Sequence, residues 1–149
     1  MNSDLVVKVL KKRENAIIPE RATSGAAGLD LYACIDEDII IKAGESALVA
    51  TGIAIELPSK EMAAFVFARS GLATKFGISL SNSVGVVDSD YRGEIYVSLR
   101  NFSTEDYTIK RDERIAQMII MPVLPVSFCE VENLGDTARG DGGFGSTGK

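Results

Sequence analysis

Two carboxylates two residues apart, Asp88 and Asp90, lie in the segment SNSVGVVDSDYRGEI (residues 81–95), with a tyrosine and an arginine directly behind them. With glycines at either end, this is the most informative internal segment, and a carboxylate in it can serve as a base. In an extended stretch both acids face the same side; in a turn, one caps backbone while the other is free. Asp88 follows Val86 and Val87, an apolar pair that reads as buried, so Asp88 is the expected base. Asp90 reads as a turn residue.

Four further segments hold most of the remaining reactive groups. In AAGLDLYA (residues 26–33), Asp30 is bracketed by apolar residues and is either turned inward or, the preferred reading, capping a turn. In ARSGLA (68–73), Arg69, the Ser70 hydroxyl and the N–H groups of Ser70 and Gly71 suit phosphate oxygens, although an ordinary surface turn also explains them. ERIAQMII (113–120) places Arg114 and Gln117 on an apolar strand, where polar groups need partners. An internal ion pair between Arg114 and Asp30 answers that need.

The fifth segment, RGDGGFGSTGK (139–149), combines five glycines with Arg139, Phe144, Ser146 and Thr147. Its last seven residues match the letters of a P-loop, but that loop requires a strand before it and a helix after it. No helix follows here. The two readings left are a disordered polar terminus and an arm that closes over a phosphorylated ligand.

Composition narrows the chemistry. The chain has no histidine, which excludes Ser-His-Asp and Cys-His nucleophilic systems and the common histidine zinc sites. A carboxylate base is what remains. A net charge of −5 offers no broad basic surface for duplex nucleic acid or an anionic membrane. The start, MNSDLVVKVLKKR, has no signal-peptide pattern, and no apolar run reaches membrane-spanning length. Cys34 and Cys129, far apart, fit a reducing cytoplasm and read as small buried hydrophobes.

The elements that must position these groups read as strands. Runs rich in Val, Ile, Phe and Tyr occupy 5–10, 39–42, 46–57, 62–68, 94–101, 114–123 and 126–131, mostly separated by glycine, proline or acidic turns. Such punctuation predicts an all-β fold, a jelly-roll-like barrel or sandwich. One helical turn is expected around 72–76, and no long segment keeps a 3.6-residue apolar period. With 149 residues, 46% of them hydrophobic, a single domain is expected over 1–134, followed by a flexible arm over 135–149.

Taken in order, AGLDLYA, RSGLA, GVVDSDYRG, ERIAQ and RGDGGFGSTG resemble the five motifs of the trimeric all-β dUTPase family. One departure is Ala68, where that family usually has proline before Arg-Ser-Gly; it removes no reactive group. The resemblance implies hydrolysis of dUTP to dUMP and pyrophosphate, with Asp88 activating the water that attacks the α-phosphorus. This would keep uracil out of DNA and supply dUMP for thymidylate synthesis. Phosphates would be held by Arg69, Ser70, Gly71 and Gln117, and at the far end by Arg139, Ser146 and Thr147. Uracil would be read by Asn82 and the backbone of Gly85, Val86 and Val87 in a hairpin between Ser81 and Tyr91. Tyr91 would exclude a ribose 2′-hydroxyl, and Phe144, with Gly145 beside it, would stack over the base.

The same resemblance implies Mg²⁺ carried mainly by the phosphates and waters, with Asp30 and Gln117 at most in its outer shell and Arg114 and Asp90 in supporting places. It also implies a homotrimer whose sites are shared between chains. Two rivals remain: a dCTP deaminase, or a bifunctional deaminase and dUTPase of the same fold, and a non-catalytic β-sandwich binding module. The deaminase chemistry wants a glutamate near the base edge, and residues 78–90 contain none.

Overall fold

The computed structural model describes residues 5–143. In chain order its elements are β1 (Lys8–Lys11), β2 (Leu29–Tyr32), β3 (Ile39–Ile41), β4 (Ser46–Ala50), β5 (Ile53–Glu56), β6 (Met62–Phe67), α1 (Ser70–Phe76), β7 (Ile78–Leu80), β8 (Gly85–Val87), β9 (Tyr96–Asn101), β10 (Tyr107–Ile109) and β11 (Arg114–Pro122). Every strand pair is antiparallel. A four-stranded sheet runs β2-β11-β6-β8, a three-stranded sheet runs β4-β9-β7, and β1-β5 and β10-β3 form two-stranded ribbons. The all-β jelly-roll-like expectation is met.

Alternation along the strands explains how the sheets close on one core. In β9, Val97, Leu99 and Asn101 are buried while Tyr96 and Arg100 are exposed, the period of two that a half-buried strand requires. Leu31, Ala64, Val66 and Met118 from the larger sheet meet Val49, Ile78, Leu80, Val97 and Leu99 from the smaller one. Ile41, Ile53, Ile55 and Ile109 fill the space from the ribbons. The buried Asn101 amide donates to the carbonyls of Ile41 (2.9 Å) and Glu105 (2.7 Å), and its oxygen accepts from the Ser103 N–H (2.9 Å) and hydroxyl (2.7 Å). With its donors and acceptor engaged, that polar side chain stitches two sheets without an unpaired group.

The helical turn expected at 72–76 is α1, which starts two residues earlier. Arg69 precedes it in an extended conformation (φ −92°), and Gly77 ends it at φ 68°, with its N–H donating to the Ala73 carbonyl at 3.1 Å. Glycine is required there on two counts: the left-handed conformation, and a Cβ would lie 2.9 Å from that of Ser103.

Four expectations need correction. The run VSFCEV (126–131) is no strand: β11 ends at Pro122, and Val126 and Phe128 are 72% and 99% exposed. A strand needs a neighbour for its N–H and C=O groups, and no described segment of this chain flanks it. Cys129, on the same stretch, is exposed, unlike the buried Cys34. Val86 is exposed, not buried, because alternation along the edge strand β8 turns it to the open face of the sheet while Gly85 and Val87 are partly covered. Residues 81–91 do not make a β7–β8 hairpin. The Ser81 N–H extends the β7–β9 ladder by donating to Ser98, Ser83 then turns at φ 64°, and β8 joins the other sheet.

A polar cluster anchors the end of the 81–95 segment. The Glu94 carboxylate accepts from Arg13 Nε at 2.7 Å, the Tyr96 hydroxyl at 2.9 Å and the Gly52 N–H at 2.9 Å. Burial pushes this carboxyl up, but the hydrogen bonds from Arg13 and Tyr96, the Arg13 charge and the Gly52 N–H outweigh burial and hold it below the usual carboxylate range. Its contribution to stability is present above the unfolded value of about 4.3 and is lost as pH falls through the depressed folded value. Glu94→Gln should therefore lower the urea midpoint at neutral pH and flatten its decline between about pH 5 and pH 3. A decline as steep as in the wild type would mean that the ion pair adds nothing.

Candidate active site

The register of β11 assembles three of the five segments. β11 lies between β2 and β6, and Gln117 stands opposite Asp30 on one side and Phe67 on the other. A β-bulge between Arg114 and Ala116 re-aims Arg114 at the same place. Asp30 Oδ1 accepts from Arg69 Nε at 3.1 Å, and Oδ2 accepts from Arg114 Nη1 at 3.3 Å. Arg69 Nη1 donates to the Arg114 carbonyl at 3.1 Å. The expected Asp30–Arg114 pair thus exists, but it is half open, with the Arg114 side chain 48% exposed against 13% for Asp30. Asp30 is a bridging carboxylate, not a turn cap.

Gln117 ties the segments together. Its Nε2 donates to the Ala68 carbonyl at 3.0 Å, and a Cβ on Gly28 would fall 2.7 Å from its Oε1. The amide therefore holds the chain ahead of Arg69 against the Gly28 backbone, which only glycine leaves open. One carboxylate against two guanidinium groups leaves this cluster net positive, and Arg69 Nη2 has no partner among the described residues. Ser70 and Gly71, the first helical residues, are exposed next to it. The arrangement can hold an anion by charge-assisted hydrogen bonds.

The 81–95 segment ends elsewhere. Asp88 leaves β8 into a turn in which its carbonyl accepts from the Tyr91 N–H at 3.1 Å, so Asp90 is a turn residue and Asp88 is exposed. Tyr91, 45% exposed, donates its hydroxyl to the Glu94 carbonyl at 2.9 Å. A small pocket of about 240 Å³ lies between Val86, Asp88, Tyr91 and Tyr96. Asn82 and Gly85 sit at the other end of β8, near Val66. Val87 pairs with Ala64, whereas Arg69 lies beyond the opposite end of β6. The five residue steps from Ala64 to Arg69 span about 17 Å of extended chain. One chain therefore does not bring Asp88 to Arg69.

The arm stands off the body of the protein. Residues 124–141 are exposed; Arg139 Nε donates to the Gly142 carbonyl at 2.8 Å around a turn at Gly140. Phe144, Gly145, Ser146 and Thr147 lie outside the described residues.

A family model described as dUTPase matches residues 14–148. The chain belongs to the dUTPase family. The deoxyuridine 5′-triphosphate nucleotidohydrolase of Neisseria meningitidis serogroup A is 51% identical over 148 residues, covering 99% of both chains. That of Desulfitobacterium hafniense is 49% identical over 149 residues, with the same coverage. Among solved structures, a mutant dUTPase of Staphylococcus bacteriophage 80alpha with dUpNHpp superposes with a TM-score of 0.88 at 24% identity, covering 97% of this chain and 99% of that one. A mutant dUTPase of phage phi11 of S. aureus, described with a structural Mg(II) ion, gives 0.79 at 21% identity, covering 88% and 99%. These two establish the fold.

Against that family, sequence reasoning passed over the Arg13–Glu94–Tyr96 cluster beneath Tyr91. A usable signal was Glu94 itself, a charge set directly before the apolar Ile95 that leads into β9.

Proposed function

We infer that this dUTPase-family enzyme hydrolyses dUTP to dUMP and pyrophosphate. The observation that carries the reading is about 50% identity over 99% of both chains with named dUTP nucleotidohydrolases, a span that includes all five motifs. Asp88 takes the proton of a water whose oxygen bonds to the α-phosphorus. The bond from that phosphorus to the α,β-bridging oxygen breaks in line, and pyrophosphate leaves. Arg69, the N–H groups of Ser70 and Gly71, the Ser70 hydroxyl and, through Ala68, Gln117 position the phosphates. Asn82 with the backbone of Gly85, Val86 and Val87 reads uracil, Tyr91 packs under the sugar, and the arm brings Arg139 and residues 144–147.

Mg²⁺ fits this site as a companion of the phosphates. Among the described residues no group of three or more His, Cys, Asp or Glu is gathered to hold a metal. Asp30 keeps spare lone pairs beside its two arginines, so it and Gln117 Oε1 can serve only bound waters. When bound, the ion neutralises phosphate charge.

The separation of Asp88 from Arg69 along β6 supports a homotrimer with shared sites, because a complete site then requires a second chain. Leu124, Val126 and Phe128, exposed at alternate positions, supply an apolar edge for such contacts. Among the described residues no helix is long and apolar enough to cross a membrane. The two free cysteines support a cytoplasmic setting. Pyrophosphate release is the deciding assay, run on dUTP, UTP, dCTP and dTTP. Turnover of dUTP alone is expected, and no release from dUTP would refute the function.

A further inference from the structure

We propose that Arg13, Glu94 and Tyr96 form a positioning cluster that fixes the Tyr91 ring and so sets the discrimination between deoxyribose and ribose. The proposal rests on the reading of Tyr91 as the sugar gate. Arg13 stands outside all five motifs, more than 70 residues from Tyr91 in sequence.

Two contacts hold the ring. Its hydroxyl donates to the Glu94 carbonyl at 2.9 Å, and the ring lies across Gly93 so closely that a Cβ there would fall 2.3 Å from the Tyr91 oxygen and 2.5 Å from Cζ. Among the described residues no other hydrogen bond restrains that half-exposed side chain, so the placing of its hydroxyl follows the Gly93–Glu94 backbone. That backbone is firm because the Glu94 side chain is nailed down. Arg13 donates Nε to Oε1 at 2.7 Å and Nη2 to Oε2 at 3.4 Å, Tyr96 donates to Oε2 at 2.9 Å, and the Gly52 N–H donates to Oε1 at 2.9 Å.

The node reaches into the core. The Gly52 carbonyl accepts from the N–H groups of Lys12 (2.7 Å) and Arg13 (3.2 Å), which fastens Arg13 at its backbone as well as its side chain. Gly52 turns at φ 73°, where a Cβ would fall 2.7 Å from that of Ala16 and 2.8 Å from Cys34 Sγ. Ile95, next along from Glu94, donates to the Ile53 carbonyl at 2.8 Å. A steric gate works only while its wall stays put, since a displacement on the order of 1 Å can change a rate 10²-fold. Freed from the cluster, the ring yields to a 2′-hydroxyl.

The test compares kcat/KM for dUTP and UTP, read as pyrophosphate release, in Tyr91→Ala, Tyr91→Phe, Arg13→Ala and Arg13→Lys. Tyr91→Ala should collapse the dUTP preference, which tests the gate. Tyr91→Phe keeps the ring and loses only the tether, and Arg13→Ala loosens Glu94. Each should narrow the preference by roughly tenfold, chiefly through a lower KM for UTP, and Arg13→Lys should recover part of it. A preference unchanged in both Tyr91→Phe and Arg13→Ala but collapsed in Tyr91→Ala overturns the cluster's role and leaves the gate standing. An unchanged preference in Tyr91→Ala overturns the gate and the proposal together. Equal losses on both substrates in Arg13→Ala, with Tyr91→Phe like the wild type, would make the cluster merely structural.

Discussion

Asp88→Asn is expected to lower turnover of dUTP by about 10²- to 10⁴-fold, the usual worth of general-base assistance, while nucleotide binding persists. Asparagine keeps the shape and one acceptor oxygen but cannot take a proton. The fold should not notice the change. Asp88 is exposed, and the turn it opens is held by its backbone carbonyl, not by its side chain. Binding should also survive, because the arginine cluster around Asp30 lies beyond the far end of β6 and touches no part of this turn. Single-turnover hydrolysis and calorimetric titration with dUTP separate the two effects. Wild-type turnover would place the base elsewhere, and lost binding would make Asp88 a binding group.

The residues differ in how openly the sequence declared them, and the reason is physical. The strands declared themselves wherever alternation met a core: Val97, Leu99 and Asn101 point inward and their neighbours outward, as the pattern required. Asp30, Arg114 and Gln117 were legible because polar groups on an apolar strand demand partners, and they found Arg69, each other and Ala68. Exposure of Val86 and of residues 126–131 was not legible. An apolar run announces that it prefers burial without saying which chain supplies the cover, and an edge strand or an unpartnered segment leaves it open in the isolated chain. The Arg13–Glu94 pair was hidden for another reason. Its members are 81 positions apart, and the β1–β5 pairing and the β4–β5 turn at Gly52 bring them together. The separation of Asp88 from Arg69 follows from pairing register, which the ordering of motifs along a chain does not encode.

Deleting residues 140–149 should abolish most hydrolysis, by roughly 10²-fold or more through lost positioning, and leave the melting temperature within about 3 °C of the wild type. The second half of that expectation follows from the contacts. Around Gly140 the described arm bonds only to itself: the Gly140 N–H donates to the Thr137 carbonyl (3.1 Å) and hydroxyl (3.0 Å), and Arg139 donates to Gly142. Losing these exposed bonds costs little, because water replaces each partner. A large drop in melting temperature would instead make the arm structural. The deletion also shows whose site the arm serves. Neither the deletion nor Asp88→Asn should be active alone. If base and arm come from different chains, mixing and refolding the two should restore roughly a quarter of the sites, each pairing an intact Asp88 from one chain with an intact arm from the other. If base and arm come from one chain, every site in the mixture keeps a defect and no activity returns.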